Sequence, residues 1–460
     1  MILAHLLCAL PLATPGTPDE DKASAALETA ELRYEQGRYK EAQVAYSRLA
    51  KKYPGTKAGR LAASRSLPSG YLGSKLIVDN GPSSNRVDIA LMGDGYTLGH
   101  QDTFDKLADD VTPLFERQKT FREYFSYLNF RRFNLVSADD GVDGFGREED
   151  TALDGRTLGT IQGHVGVDSK LVHRMLDQCP EHDDLAIVYV RVGALGTGGN
   201  GVATIGGRSA KITVHEWGHA FGRLGDEYAQ KTHDRGGVRE AVNVSSFEDE
   251  ERVPWAHFIE AKVPGVGVYE GAAGQVRDAY KPTSGGCVMA SGEFFCPPCR
   301  EALVLRIYSI VDPIDSASPT PQERASTEDL TLEDSLEFEV QAMVPAKHML
   351  EAKWYVLPES KAPQDPRGRD RRYARRTGDR RGRGPLSMIK DEPWAESRGQ
   401  RDGLHEFKLR RKDLEPGRYR VVCRVRDTTE LRGERHPWVL QDEHGLLESE
   451  RAWWVVVPAD

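Results

Sequence analysis

Two histidines one helical turn apart constrain this chain more than any other feature of its sequence. His215 and His219 lie four residues apart within the stretch 213–228, so on a helix both imidazoles project from one face and can bind one metal ion. Glu216 lies beside them and can reach a water at the fourth coordination position without being a ligand itself. The motif therefore predicts a zinc site in which Glu216 is the general base.

The residues after the motif favour a functional site over a chance match in an ordinary surface helix. Ala220 and Phe221 continue an apolar helix face. Gly222 and Gly225 then offer the permissive backbone that is needed to end the helix and fold the chain back beneath the metal.

A zinc site needs a third protein ligand, and the sequence offers three candidates. In the metzincin pattern H-E-x-x-H-x-x-G-x-x-H/D the third ligand falls six residues after the second histidine, which is Gly225 in this chain. Asp226 is the nearest carboxylate and Glu227 is beside it, whereas a thermolysin-like arrangement would use a later residue such as Glu240. Because Gly222 lies where metzincins turn, we favour Asp226.

The composition sets limits on the class of protein. The chain has 460 residues, enough for two to four domains, and its 62 Lys and Arg against 71 Asp and Glu give a net charge of −9. This charge argues against a general nucleic-acid-binding protein, and no internal apolar run reaches membrane-spanning length.

The N-terminal segment predicts export. Residues 2–13 form a short apolar run that ends in small residues, as in a secretory signal, although no Lys or Arg precedes it. We expect a signal peptide over 1–16 and a secreted or periplasmic protein. The alternative is an apolar terminus or a misassigned start.

Residues 22–60 resemble a single tetratricopeptide-like helical hairpin, with small, aromatic and glycine residues at the expected positions. One repeat cannot bury its own faces, so it must pack on the rest of the chain or on a partner protein. A structural hairpin and a peptide-binding hairpin both satisfy this requirement.

The segment between the hairpin and the histidines alternates strand and helix patterns. Strands are predicted over 87–91, 130–136 and 185–192, and helices over 104–125 and 171–176. The glycine-rich segment 193–207 is either an edge strand that could pair with an extended peptide or a connecting loop. Residues 139–144 concentrate aspartates and would suit Ca²⁺, but their spacing lacks the full EF-hand pattern and a polar turn is the alternative.

The last third of the chain has the alternating pattern of a β-sandwich over 328–460. Residues 414–419 resemble the tyrosine corner of an Ig-like domain, and Trp354 is the candidate core tryptophan. The interval 359–403 contains an Arg-rich tract over 367–383 that cannot form a core. We expect a disordered insertion there, with docking to an anionic polymer as the alternative.

Several local patterns together resemble the IgA-peptidase family of zinc metallopeptidases. They are Gly93-Asp94-Gly95-Tyr96, the histidine motif with its Asp-Glu-Tyr ending, and Cys287-x-Met289 followed by Cys296-x-x-Cys299. The resemblance covers about residues 84–312 and does not identify immunoglobulin as the substrate. It implies a metzincin-like domain in which His215, His219 and Asp226 bind zinc and Met289 forms a floor beneath it.

The cysteines leave two interpretations open. In an exported protein, Cys287 paired with Cys296 or Cys299 would staple the Met289 turn to the following helix. A four-cysteine zinc site that includes Cys179 is the alternative, although the uneven spacing matches it poorly.

The sequence therefore predicts a multidomain α/β protein with a short helical hairpin, an α+β zinc peptidase domain over 84–315 and a C-terminal Ig-like β-sandwich. Its predicted activity is hydrolysis of peptide bonds, with Glu216 as base and Tyr228 as a candidate oxyanion stabiliser. The competing hypothesis is a non-catalytic adhesion or scaffold protein with a structural zinc, whose partners bind the hairpin or the Ig-like domain.

Overall fold

A computed structural model describes residues 18–144, 146–158, 163–179, 185–207, 210–230, 237–321, 328–362, 389, 391–398 and 401–459. The predicted signal segment 1–16 and the Arg-rich tract 367–383 lie outside the described residues. Within these ranges no helix is long and apolar enough to cross a membrane. The expected mixed α/β composition is confirmed.

Three helices begin the described chain: α1 (Pro18–Glu35), α2 (Tyr39–Lys52) and α3 (Lys57–Arg65). Alanines and tyrosines on their inner faces form one buried cluster. The Tyr34 hydroxyl donates to Asn134 Oδ1 at 2.6 Å, which fixes the helices to the neighbouring sheet. The helices thus pack on the rest of the chain, while their tetratricopeptide-like character stays a prediction.

Eight strands of the described chain precede the histidine motif: β1 (Gly70–Val78), β2 (Val87–Asp94), β3 (Leu128–Val136), β4 (Arg156–Thr157), β5 (Val165–Gly166), β6 (Ala186–Val190), β7 (Thr197–Gly199) and β8 (Val202–Gly206). Six of them form a mixed sheet in the order β1-β3-β2-β6-β8-β7. The four inner strands are parallel, and β1 and β7 pair antiparallel at the two edges. Every residue of β2 is buried, as expected for a central strand of a parallel sheet.

Seven further helices lie among the described residues: α4 (Gln101–Asp109), α5 (Thr112–Arg117), α6 (Lys119–Glu123), α7 (Ser169–Leu176), α8 (Ala210–Ala220), α9 (Ala256–Glu260) and α10 (Pro297–Tyr308). The helical pattern over 104–125 is thus divided among α4, α5 and α6. Pro113 lies in the first turn of α5, where a backbone N–H has no partner within the helix. It could not continue α4, because a residue inside a helix needs its N–H for a hydrogen bond. A hairpin of β9 (Tyr269–Ala272) and β10 (Gln275–Lys281) lies between α9 and α10.

The C-terminal region contains eight strands in its described part: β11 (Ile314–Ser318), β12 (Leu330–Thr331), β13 (Ser335–Ala342), β14 (Glu351–Pro358), β15 (Ala395–Arg398), β16 (Leu404–Arg410), β17 (Gly417–Arg426) and β18 (Glu448–Val457). They form two sheets, β11-β13-β16 and β12-β18-β17-β14-β15. Phe338 of the first sheet contacts Trp354 and Trp453 of the second, with ring centroids 6.3 and 5.0 Å away.

Two sequence expectations for this region can be compared with the structure. The Tyr419 hydroxyl donates to the Glu415 carbonyl at 3.0 Å, the bond that a tyrosine corner requires. The insertion 359–403 is not irregular throughout, because β15 pairs with β14. The Ig-like assignment itself stays a prediction.

A buried polar network joins the central sheet region to the C-terminal sheets. His348 lies between two carboxylates, with Nδ1 2.8 Å from Glu123 and Nε2 2.7 Å from Asp427. Tyr124 and Tyr308 donate their hydroxyls to the other oxygen of Asp427, at 2.9 and 2.7 Å. These bonds hold the two regions in one orientation.

Candidate metal centre

Helix α8 has one apolar face and one face of metal-binding side chains. Trp217 and Phe221 are fully buried and stack at 5.1 Å, and Phe115 of α5 meets Trp217 edge-on at 5.9 Å. This packing fixes the rotation of the helix, so that His215 and His219 face the opposite side.

The three favoured ligand residues meet at one point. Asp226 Oδ1 lies 3.1 Å from His215 Nε2 and 3.1 Å from His219 Nε2, and the two Nε2 atoms are 3.1 Å apart. Ligands about 2.0 Å from a tetrahedral zinc lie roughly 3.3 Å from one another. The donor set and its spacing therefore fit one zinc ion.

The Nδ1 atom of each histidine contacts a backbone carbonyl. His215 Nδ1 lies 3.1 Å from the Val288 carbonyl, and His219 Nδ1 lies 2.6 Å from the Leu224 carbonyl. Because a carbonyl only accepts hydrogen bonds, both Nδ1 atoms carry a proton, so in each neutral imidazole Nε2 is the nitrogen that can bind a metal. The rings are oriented for metal binding by the backbone alone.

Asp226 carries a stable negative charge at this point. Burial works against its ionisation, but without metal the hydrogen bonds and positive charge of protonated His215 and His219 outweigh burial and hold the pKa of Asp226 well below its usual range. The other two candidate ligands lie elsewhere. Glu240 is exposed and accepts from the Ser246 backbone at 2.7 Å, and Glu227 is turned away from the histidines.

The chain reversal after α8 differs from the sequence expectation. The residue in the left-handed region is Arg223, with φ of 54°, and neither Gly222 nor Gly225 has positive φ. Both glycines are instead required by close packing, because a Cβ would lie 2.8 Å from Leu303 at Gly222 and 2.7 Å from Val244 at Gly225.

Met289 lies directly beneath the histidine motif. It is fully buried, and a Cβ at Gly218 would lie 2.5 Å from its sulfur. The glycine inside the motif thus gives Met289 room against the helix. Val288, whose carbonyl orients His215, is the residue immediately before it.

Glu216 lies on the same rim and is only 8% exposed. Burial raises the pKa of Glu216, and the nearby His215 and His219 partly oppose that rise. The edge strand β7 runs alongside, since a Cβ at Gly198 would lie 2.3 Å from the Glu216 carbonyl oxygen. The small residues of β7 allow this close approach.

Tyr228 is half-buried beside the site. Its ring centroid lies 6.2 Å from that of His215. Burial and the charge of Asp226 raise the pKa of Tyr228, so its hydroxyl keeps its proton. The hydroxyl is therefore a hydrogen-bond donor near the candidate metal site.

An apolar cavity of about 310 Å³ adjoins the site. Leu114, Val214, Val288 and Phe294 line its wall, with Arg117, Lys211 and Glu293 among the polar residues. Val214 directly precedes His215 in the chain, and the Val288 carbonyl bonds to the His215 ring. The cavity therefore lies next to His215. The cavity can accept a medium-sized apolar side chain.

The segment proposed for Ca²⁺ uses its carboxylates in turns. Asp139 accepts from the Asp150 backbone at 2.8 Å, Asp143 accepts from the Glu149 backbone at 2.6 Å, and Asp140 pairs with Arg191. Among the described residues, these aspartates do not belong to either group that could hold a metal. The polar-turn interpretation fits this arrangement.

The sequence indicates a second group of potential ligands only in part. Glu227 joins Cys287, Cys296 and Cys299 in a buried cluster, whereas Cys179 lies elsewhere and contacts Ser74. The sulfurs of Cys287 and Cys299 are 3.8 Å apart, compared with about 2.05 Å in a disulfide. The predicted disulfide is absent from the described residues, whose cysteines are all free.

Part of the chain matches a known protein family. Residues 76–265 match the sequence model of the IgA peptidase M64 family. The match includes both histidines, Glu216 and Asp226, and it ends before Cys287 and Met289. It supports a peptidase. No curated protein sequence matches the chain.

Proposed function

We propose that this chain is a zinc-dependent endopeptidase whose metal is held by His215, His219 and Asp226. The observation that carries the proposal is the common meeting point of the three donor atoms, with the Nδ1 atom of each histidine directed at a backbone carbonyl. The family match over 76–265 supports a protein substrate.

The proposed hydrolysis needs both the metal and Glu216. When bound, zinc would act as a Lewis acid that polarises the scissile carbonyl and makes water more acidic. Glu216 accepts the proton of the attacking water and returns it to the leaving amine. Its burial limits the access of bulk solvent to the carboxylate.

Tyr228 is the proposed oxyanion stabiliser. Its hydroxyl is a donor at neutral pH and can bond to the oxygen on which negative charge develops. The position of its ring beside His215 also suits a supporting role for the ligands.

Two surfaces support the binding of an extended peptide. β7 lies at the edge of the sheet as described and runs beside α8, so a substrate strand paired with it would pass the metal-binding rim. The 310 Å³ cavity next to His215 would accept one apolar side chain of that strand. We therefore expect cleavage sites with an apolar residue on one side of the scissile bond.

An adhesion or scaffold protein with a structural zinc is the alternative. In a structural site four protein ligands close the coordination sphere, whereas this cluster offers three. The buried carboxylate of Glu216 beside an open position favours catalysis. Export remains a prediction that depends on residues 2–13.

The test is incubation of the purified chain with a peptide library, with and without a chelator, followed by mass spectrometry of the products. Glu216→Gln keeps the shape of the side chain but removes the base, so hydrolysis should fall by about a hundredfold to ten-thousandfold. Metal content should not change.

Glu240→Gln is the matched control, because it makes the same chemical change at an exposed carboxylate. It should keep wild-type activity. Full hydrolysis by Glu216→Gln, or hydrolysis that resists the chelator in wild type, would contradict the proposal.

A further inference from the structure

A second set of metal-binding side chains lies behind the first. One donor atom from each of Glu227, Cys287, Cys296 and Cys299 lies within 4.8 Å of all the others, and all four residues are buried. Glu227 Oε1 is 3.1 Å from the Cys299 sulfur and 3.4 Å from the Cys296 sulfur. The cluster combines three thiols with one carboxylate.

These separations suit tetrahedral coordination. Zinc lies about 2.3 Å from a thiolate sulfur and about 2.0 Å from a carboxylate oxygen, so two sulfurs would be roughly 3.8 Å apart and a sulfur and an oxygen roughly 3.5 Å apart. The observed distance between the Cys287 and Cys299 sulfurs is 3.8 Å. The cluster therefore needs little rearrangement to enclose an ion.

Backbone and side-chain donors are directed at the ligand atoms. The amides of Met289 and Cys296 both point at the Cys287 sulfur, at 3.4 Å each. The Asn243 amide donates to Glu227 Oε1 at 2.9 Å. Hydrogen bonds of this kind orient ligands and stabilise their ionised forms.

Four acidic groups that are buried together are electrostatically unusual. Unpaired buried charges cost several kcal/mol, so the groups must either keep their protons or share a cation. Three sulfurs in the ligand set favour zinc over magnesium, calcium or manganese.

We propose that Glu227, Cys287, Cys296 and Cys299 bind a second, structural zinc ion. Four protein ligands without an open position are typical of structural sites. The binding inference does not depend on the peptidase proposal, whereas the positioning role that follows does.

The second ion would brace the parts of the chain that position the first. Glu227 follows Asp226 directly, and its amide donates to the Met289 carbonyl at 2.7 Å. Cys287 precedes Val288, whose carbonyl orients His215. Cys296 and Cys299 belong to the start of α10. One ion would thus tie the Asp226 loop, the Met289 turn and α10 together.

Metal analysis of the full chain, purified with reductant and equilibrated with zinc, tests the proposal. We expect two zinc ions per chain in wild type and one in His219→Ala, which disrupts only the first site. Cys299→Ser should lose the second ion, and the matched control Cys179→Ser should keep both. Cys179 is half-buried and lies outside the cluster.

A spectroscopic measurement keeps the test valid if Cys299→Ser fails to fold. Replacement of the metal in His219→Ala with Co²⁺ should produce the near-ultraviolet charge-transfer band of cobalt–thiolate bonds, which nitrogen and oxygen ligands do not give. Absence of this band would overturn the proposal. So would a Cys287–Cys299 disulfide in the unreduced protein.

The two proposals fail in different ways. A chain with two zinc ions and no peptide hydrolysis would contradict the peptidase proposal alone. A chain that hydrolyses peptides with one zinc ion, and loses that ion in His219→Ala, would contradict the second site alone.

Discussion

The buried His348 predicts a loss of stability at alkaline pH. Burial works against a charged imidazole, but hydrogen bonds to Asp427 and Glu123 outweigh burial and raise the pKa of His348 to about 9. The carboxyl pKa values of Glu123 and Asp427 are lowered in return. Tyr124 closes the network, with its ring centroid 5.9 Å from His348.

The size of the effect follows from the rise in pKa. The pKa increases from 6.5 to about 9 on folding, and each unit corresponds to about 1.4 kcal/mol, so protonated His348 contributes about 3 kcal/mol to the free energy of unfolding. Because the folded pKa is the higher one, this contribution is complete below pH 6.5 and is lost as the pH rises through about 9.

Urea unfolding followed by tryptophan fluorescence measures the change. His348→Gln should be less stable than wild type at pH about 6, and between this pH and about 10 wild type should lose about 3 kcal/mol more stability than the variant does. His173→Gln, on α7, is the control and should keep the wild-type slope. If wild type and His348→Gln showed the same pH dependence, the reasoning would be refuted.

Two further predictions concern the metal centre. Asp226→Ala should lose the metal bound by His215 and His219 together with activity, whereas Glu240→Ala should keep both; metal analysis that showed zinc retained in Asp226→Ala would exclude this ligand. Gly198→Ala should lower kcat by about a hundredfold, because the new Cβ would displace the Glu216 helix. Gly199→Ala meets no atom within 4 Å and should be neutral in the same peptide assay.

Local spacing explains which parts of the metal centre could be predicted. His215, Glu216 and His219 lie within two turns of one helix, so the 3.6-residue period alone puts the histidines on a common face. Asp226 follows within a short reversal that leaves the chain little freedom. The strands and helices with strong periodicity were predicted for the same reason.

The remaining parts depend on contacts between distant residues. The carbonyl that orients His215 belongs to Val288, 73 residues further along the chain, and no sequence pattern marks a backbone oxygen. Glu227 was considered only as a rival to Asp226. Its cysteine partners lie 60 to 72 positions away, and Cys287-x-Met289 before Cys296-x-x-Cys299 was the one signal that could have indicated the cluster.

The order of the two acids after the helix has a structural consequence. Asp226 and Glu227 are adjacent, yet one carboxylate faces two histidines and the other faces three cysteines. The peptide bond between them is therefore a rigid link between the two clusters, and the Glu227 amide anchors that link to Met289. A shift of one residue in this loop would turn both carboxylates away from their partners. Gly225, the position at which the metzincin pattern has its third ligand, packs against Val244 and donates its amide to Asn243, which also holds Glu227, so the proposed ligand Asp226 follows one position later.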